Sequence, residues 1–325
     1  MKAMVHREFG AASEVLRLEE VDTPAPAEGE LLVRIRASSA NPYDWHYIRG
    51  LPLFMRLGPG GLRTPKNPIP GGDFAGVVEA VGAGDVGGFS VGDEVYGFAH
   101  GAFAEYVAAP HGQVARKPAG LTFEEAASLP LVAATAWQGL RDVGGLEAGQ
   151  KVLVIGASGG IGMVAVQLAK AWGAEVTGVC STANVEFVNS LGADHVIDYR
   201  TEDYTRGHDR YNLVFQLGGT MSPGSLRHVM SAKGTLVQCA GDGGRFLGPI
   251  PNVIKAAFMN RFVGQTMGLV NTVEDTATLD NVRNAVEAGE MHAVIDSSYP
   301  FEEAGAAVDL VESGSPRGKV VIQGA

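Results

Sequence analysis

The chain changes its hydrophobic texture twice. Between Met1 and Leu121 the apolar positions come in short runs bounded by turn residues, and helical periodicity is weak. LLVRIRASSA (Leu31 to Ala40), FAGVVEAVG (Phe74 to Gly82), DEVYGFA (Asp93 to Ala99) and AEYVAA (Ala104 to Ala109) read as strands. Pro24, Pro26, Pro42, Pro68 and Pro70 punctuate them. From Thr122 the spacing turns helical. LTFEEAASLPLVAATAWQGLRDVG predicts a helical stretch, with Thr122 and Glu125 as a capping box at its start.

Strands and helices then alternate. VLVI predicts a buried strand, GMVAVQLAKAWG a helix closed by Gly173, and EVTGVC a second strand. VEFVNSLGA follows as a helix, then HVIDY, YNLVFQLGG and TLVQCAG as strands. This order predicts a parallel sheet covered by helices on both faces, an α/β fold. The tail from Val294 returns to mixed texture and ends in a strand, KVVIQ, which suits a return to the N-terminal domain. At 325 residues the chain exceeds what one core usually organises, so two domains are expected.

Composition narrows the class. With 46% hydrophobic and 19% charged residues the chain is globular, and its net charge of −11 argues against nucleic acid or an anionic membrane as main partner. No apolar run is long enough to span a bilayer, and MKAMVHREFG is no secretory signal. Only two cysteines occur, Cys180 and Cys239, which excludes a disulfide framework and fits a reducing cytoplasm.

The run VLVIGASGGIGM (Val152 to Met163) holds the first candidate chemistry. Glycines that follow a buried strand and open an apolar helix lie where unpaired N–H groups and the positive end of a helix dipole meet a pyrophosphate. Ala157-x-Gly159-x-x-Gly162 departs from the dinucleotide fingerprint by one methyl at its first position. Gly159 lets the backbone approach the ligand, and Gly162 lets the helix pack on the strand. An ordinary strand-to-helix turn is the competing reading. The end of the second strand then bears on the nucleotide. An NAD site usually carries Asp or Glu there for the ribose 2′-OH, whereas this chain has Cys180 and Ser181. That favours NADP (NADPH), with Arg200, beside Tyr199, as candidate cation for the 2′-phosphate.

ANPYDW (Ala40 to Trp45), PGGDFAGVVEAVG (Pro70 to Gly82), VGDEVYG (Val91 to Gly97), GAFAEYV (Gly101 to Val107), SLPLVAATAW (Ser128 to Trp137), the glycine loop, LGADHVIDY (Leu191 to Tyr199) and RGKVVI (Arg317 to Ile322) follow one another in order. In this the chain resembles the medium-chain dehydrogenase/reductase superfamily over essentially its whole length. More narrowly it resembles the zinc-independent quinone oxidoreductase branch, including the enone oxidoreductases. The resemblance implies a GroES-like β-rich catalytic domain (residues 1–122 and 262–325) into which a Rossmann NADP-binding domain (residues 123–261) is inserted, with cofactor and substrate in the cleft. A zinc alcohol dehydrogenase would place a cysteine near Asn41–Pro42 and a His-Glu pair at Gly72–Asp73. Neither is present, nor are four clustered cysteines, so no metal is expected.

Without a metal to hold an alkoxide, the easier reaction is hydride addition to the β-carbon of an activated alkene, whose charge spreads into an enolate. Quinones meet the same electronic requirement. By resemblance Asn41 faces the nicotinamide and the carbonyl, Asp44 ties its loop, and Thr135 is a nicotinamide-side threonine. Tyr43, His46 and Tyr47 are open alternatives as proton donor or packing wall. On the cofactor side Ser158, Gly159, Gly160 and Ile161 should wrap the pyrophosphate, and Ser181 and Tyr199 flank the adenosine ribose. Leu217, Gly218 and Gly219 approach the nicotinamide ribose, and Arg317 and Lys319 match a cofactor contact of the tail. The apolar loop Gly50 to Gly71 reads as a lid or a plain surface loop, and Ile250 to Leu269 as a second wall. Cys239 reads as strand core, and the histidines other than His46 as scattered surface or turn residues.

The reading is thus an NADPH-dependent reductase of α,β-unsaturated carbonyls or quinones, acting on a small molecule, with a homodimer as the base-rate assembly. Two rivals stay open: an NADP-dependent aldehyde or alcohol oxidoreductase without zinc, and a non-catalytic NADPH-binding protein.

Overall fold

The computed structural model describes residues 1–57, 61–239, 246–248 and 250–325. Its strands in chain order are β1 (Lys2–Val5), β2 (Arg17–Glu20), β3 (Glu30–Ala40), β4 (Asp73–Val81), β5 (Glu94–Phe98), β6 (Tyr106–Pro110), β7 (Val114–Arg116), β8 (Lys151–Ile155), β9 (Glu175–Cys180), β10 (His195–Asp198), β11 (Tyr211–Gln216), β12 (Met230–Gln238), β13 (Thr266–Leu269), β14 (Ile295–Tyr299) and β15 (Lys319–Gln323). They fall into two compact units, one of residues 1–134, 274–289 and 293–325, the other of residues 135–273 and 290–292.

The first unit is a β-structure whose main sheet has the order β14-β15-β3-β4-β5-β7, with β6 also paired to β3. β3 is long enough to serve three neighbours, and register shifts against β4 at Leu32/Val33 and Ile35/Ala37 bend it. Leu31, Val33, Ile35, Phe74, Val78, Val95, Val107 and Val114 fill one side as a continuous core. The tail does return to this sheet. β15 runs antiparallel to β3 with Val320 opposite Ala40, which sets Lys319 beside Asn41.

The helical stretch after Thr122 is broken in the structure. Thr122 and Glu125 exchange their capping bonds, Glu125 N to Thr122 Oγ1 at 3.1 Å and Thr122 N to Glu125 Oε2 at 2.8 Å. That helix ends at Ala127, and a second runs Pro130–Gln138 before a π-helical turn over Gly139–Val143. Pro130 explains the break, since it has no N–H to donate backwards and disfavours helical backbone in the residue before it.

The second unit is a six-stranded, wholly parallel sheet of order β10-β9-β8-β11-β12-β13. β13 pairs with β12 in this sheet, which therefore reaches beyond residue 261, where the resemblance puts its end. Leu153, Ile155, Val179, Val214, Leu226, Val229 and Leu236 form its core on one face. Strand order reverses between β8 and β11, and the crevice outside the carboxyl ends of such strands is where open α/β sheets take ligands. Among the described residues no helix is long and apolar enough to cross a membrane.

Candidate functional site

The glycine turn lies at that reversal point. After β8, Gly156 takes a φ of 87°, a conformation that costs any residue with a Cβ. The chain then enters the helix Gly160–Ala171 with Gly159 as N-cap and no side-chain cap on its first N–H groups. The glycines differ in what surrounds them. A Cβ on Gly162 would lie 2.2 Å from Gly156 O, so this glycine is required by the packing of helix on turn. A Cβ on Gly159 would meet only Gly156 O, at 3.6 Å. The backbone at Gly159 is thus open to an approaching group beside unpartnered donors, which is what a pyrophosphate needs. Ser158 Oγ accepts from Asn184 Nδ2 at 3.0 Å, tying the loop to the segment after β9. Gly160 and Ile161 supply the first helical turn.

Across the reversal, Leu217 N donates to Ile155 O at 3.0 Å, so the Leu217–Gly219 segment leaves β11 alongside the glycine turn. Gly218 N would lie 3.3 Å from a Cβ on Gly156. The glycine turn and the segment Leu217–Gly219 are therefore neighbours.

Beside the end of β9, at the end of β10, lies a carboxylate that the sequence reading does not include, Asp198. Cys180 is buried and Ser181 half-buried, and Cys180 pairs in register with Asp198 at the end of β10. Asp198 Oδ2 accepts from Thr182 Oγ1 at 2.6 Å and Oδ1 from Arg200 N at 2.9 Å, and these bonds hold its carboxyl below the usual carboxylate range. Arg200 is exposed, its guanidinium 5.8 Å from the ring of the exposed Tyr199. Thr135, by contrast, is buried and shares a 2.8 Å hydrogen bond with Thr272 Oγ1.

In the first unit, four donors converge on Asp73. Asp73 Oδ1 accepts from Leu131 N at 3.0 Å, at the start of the helix that Pro130 opens. Its Oδ2 accepts from Ser39 Oγ at 3.0 Å and Asn41 Nδ2 at 2.9 Å, with Lys319 Nζ at 3.5 Å. Lys319 Nζ also donates to Ala40 O at 3.1 Å and to Asn41 Oδ1. Asn41 is therefore 1% exposed with both ends of its carboxamide engaged inside this unit. Lys319, read from the resemblance as a cofactor contact, is instead a buried cation whose three N–H groups face Ala40, Asn41 and Asp73. Burial lowers its pKa. Arg317 is exposed, its backbone N–H on Asp296.

Asp44 Oδ2 accepts from Asn41 N at 2.7 Å, at the start of the helix Pro42–Arg49. Burial, with the charge of Asp73 nearby, pushes its carboxyl up to about 7. The three candidate proton donors part ways. His46 Nδ1 bonds Leu51 O at 2.9 Å and its ring stacks on Trp45, which makes it a closing contact of the helix Pro42–Arg49. Tyr43 packs on Tyr47, ring centroids 4.4 Å apart, and its hydroxyl lies 3.0 Å from His100 Nδ1.

The histidines are less scattered than their spacing suggests. His100 belongs to the Tyr43 cluster, and His6 is 2% exposed with its pKa lowered by burial. In the apolar loop after Gly50, Leu53–Leu57 form a 3-10 turn with Phe54 and Leu57 exposed, while residues 58–60 lie outside the described residues. In the second wall, Ile254, Phe258 and Phe262 are exposed at a four-residue spacing. Among the described residues no group of three or more His, Cys, Asp or Glu side chains is placed to hold a metal ion.

Two family models match the chain: the alcohol dehydrogenase GroES-like domain over residues 27–119 and a zinc-binding dehydrogenase model over residues 191–322. The mitochondrial NAD(P)H oxidoreductase RTN4IP1 of Mus musculus is 34% identical, the alignment covering 90% of this chain and 81% of the relative. The 2-methylene-furan-3-one reductase of Solanum lycopersicum is also 34% identical, over 99% of this chain and 79% of that protein. Among solved structures, the quinone oxidoreductase from Coxiella burnetii superposes with a TM-score of 0.85 at 28% identity, covering 99% of both chains. The chain belongs to the medium-chain dehydrogenase/reductase superfamily, in its zinc-independent quinone and enone oxidoreductase branch, and is an oxidoreductase.

Proposed function

We propose that the protein is an NADPH-dependent, metal-independent reductase that delivers hydride to the activated C=C of α,β-unsaturated carbonyls or to quinones. The observation that carries the reading is the open backbone at Gly159, beside uncapped helix N–H groups at the strand-reversal point of a parallel sheet. A dinucleotide fits it: Ser158, Gly159, Gly160 and Ile161 cradle the pyrophosphate, and Leu217–Gly219 border the nicotinamide ribose. Ser181 at the β9 end accepts a 2′-phosphate where an acid would repel it, with Arg200 and Tyr199 beside it. The relatives, an NAD(P)H oxidoreductase, a 2-methylene-furan-3-one reductase and a quinone oxidoreductase, support the same class.

When bound, the nicotinamide supplies a hydride. The chain's own residues orient the acceptor and meet the charge that develops on its oxygen. Asp73, Asn41, Asp44 and Lys319 make a rigid buried floor at the start of the helix Pro42–Arg49, so that Tyr43 and Tyr47 are presented from a fixed backbone. An enolate or a quinol oxygen is a far weaker base than an alkoxide, so hydrogen-bond donors suffice where a simple ketone would call for a Lewis acid. Steady-state assays with NADPH and NADH over panels of enones, enals and quinones test the reading. Turnover of enones or quinones with NADPH preferred is expected, and NADPH binding without turnover of any of them would overturn it.

A further inference from the structure

Gln216 and Gln238 end the neighbouring strands β11 and β12 opposite each other, and both are buried, 6% and 8% exposed. Gln238 Nε2 donates to Gln216 Oε1 at 2.9 Å, and Gln216 Nε2 donates to Met221 O at 3.0 Å. The first bond fixes which end of the Gln216 carboxamide is the donor. The second closes the segment Leu217 to Met221 back onto the strand end that it leaves. Donation into Oε1 also polarises the amide, which strengthens its own donation to Met221 O.

The closed segment lies against the glycine turn. Leu217 N is anchored on Ile155 O, and Gly218 N would lie 3.3 Å from a Cβ on Gly156. On its other flank, the Tyr204 hydroxyl would lie 3.6 Å from a Cβ on Gly219, which takes a φ of 75°. At its far end the Met221 side chain packs on the core of the sheet. All these residues belong to the second unit.

We propose that Gln216 is a positioning residue for the dinucleotide: held by Gln238, it fixes Met221 O and so presets the Leu217–Gly219 wall before the cofactor arrives. The inference rests on the reductase reading above, which puts the nicotinamide ribose against that wall. Ordering a loop on binding costs conformational entropy, and a segment ordered in advance spares the ligand that cost. The position calls for a carboxamide in particular. It must accept from Gln238 and donate to Met221 O, and it must carry no charge beside the phosphates. A carboxylate accepts only, and a leucine of similar size fills the space without a donor.

The test titrates NADPH into wild type, Gln216→Leu, Gln216→Glu and the double variant Gln216→Leu/Gln238→Leu between about pH 5 and pH 8, with urea midpoints measured alongside. Gln216→Leu should weaken NADPH about tenfold at every pH, the worth of one well-made hydrogen bond. Gln216→Glu should lose at least as much at the alkaline end and recover toward wild type at the acid end. There burial keeps the new carboxyl protonated, and its O–H donates to Met221 O again. The double variant leaves neither amide unpaired, so its urea midpoint should return close to that of wild type while its NADPH affinity stays low. A merely structural pair predicts instead that affinity returns together with the midpoint.

That joint return would overturn the positioning role alone. So would wild type that binds NADPH with Gln216→Leu within about twofold of it, or a Gln216→Glu loss that does not change with pH. Wild type that fails to bind NADPH would overturn the cofactor placement and this role with it. If Gln216→Leu does not fold by itself, the double variant and Gln216→Glu carry the same comparison.

Discussion

Thr182 Oγ1 donates a 2.6 Å hydrogen bond to Asp198 Oδ2, joining the segment after β9 to the end of β10. The bond puts a carboxylate one strand away from Ser181, in the part of the fold that discriminates the two nicotinamide dinucleotides. Asp198 is held low by Thr182 first and by the Arg200 N–H next, so it stays charged at neutral pH. The Arg200 backbone thus lies beside a fixed negative charge.

Nucleotide preference should respond to both residues. Ser181→Asp should weaken NADPH by more than tenfold and NADH little, since a charge at the β9 end repels the 2′-phosphate but can bond a 2′-OH. Asp198→Asn should tighten NADPH several-fold and leave NADH nearly unchanged. Titration of both cofactors by fluorescence reads this directly, and equal effects on the two would remove these residues from the 2′ site.

The two fingerprint glycines should fail in different ways. Gly162→Ala forces a methyl to within 2.2 Å of Gly156 O, and overpacking of this kind costs about 1–3 kcal/mol. Its Tm should fall. Gly159→Ala has room in the chain itself and an ordinary φ of −80°, so its Tm should match wild type. Its NADPH affinity should nevertheless drop, because the methyl enters the space the ligand needs. A Gly159→Ala protein that binds NADPH normally would place the ligand elsewhere.

Lys319→Met should destabilise the first unit. The substitution leaves the wholly buried Asp73 without its cation, and breaking a buried pair from one side costs about 3–5 kcal/mol. Adding Asp73→Asn should recover part of that loss. Urea midpoints for the single and double variants measure it, and an unchanged midpoint for Lys319→Met would contradict the assignment of Lys319 as a structural cation.

The fold was legible where the backbone leaves little choice. Glycines needed for turn geometry and close packing, apolar strands and a capping box can all be read locally. Pro130 was equally visible, yet helical spacing on both sides of it masked the break. What could not be read depends on strands far apart in sequence. Lys319 reaches Asn41 only because β15 pairs with β3, and His100 reaches Tyr43 only because β5 runs beside β4. Asp198 is not legible at the end of β9, because this carboxylate ends the neighbouring strand and comes beside Cys180 only through β9–β10 pairing.

Stability should also carry a signature of Asp44. Its folded pKa of about 7 lies above the ordinary 3.8, so the folded state binds the extra proton between these values. The stability it contributes is fully present below about pH 4 and is lost as pH rises through about 7. Asp44→Asn keeps an acceptor for Asn41 N and removes the titration. Its unfolding free energy should fall less than that of wild type between pH 4 and pH 8, and parallel curves would refute the buried carboxyl.

Hydride delivery to an activated alkene leaves an isotopic mark on the product. The most direct measurement uses NADPH carrying deuterium at the nicotinamide C4, an α,β-unsaturated ketone, and mass spectrometry with NMR of the product. A saturated ketone with the deuterium on the β-carbon is expected. An allylic alcohol labelled at the carbonyl carbon, or no product at all, would contradict it.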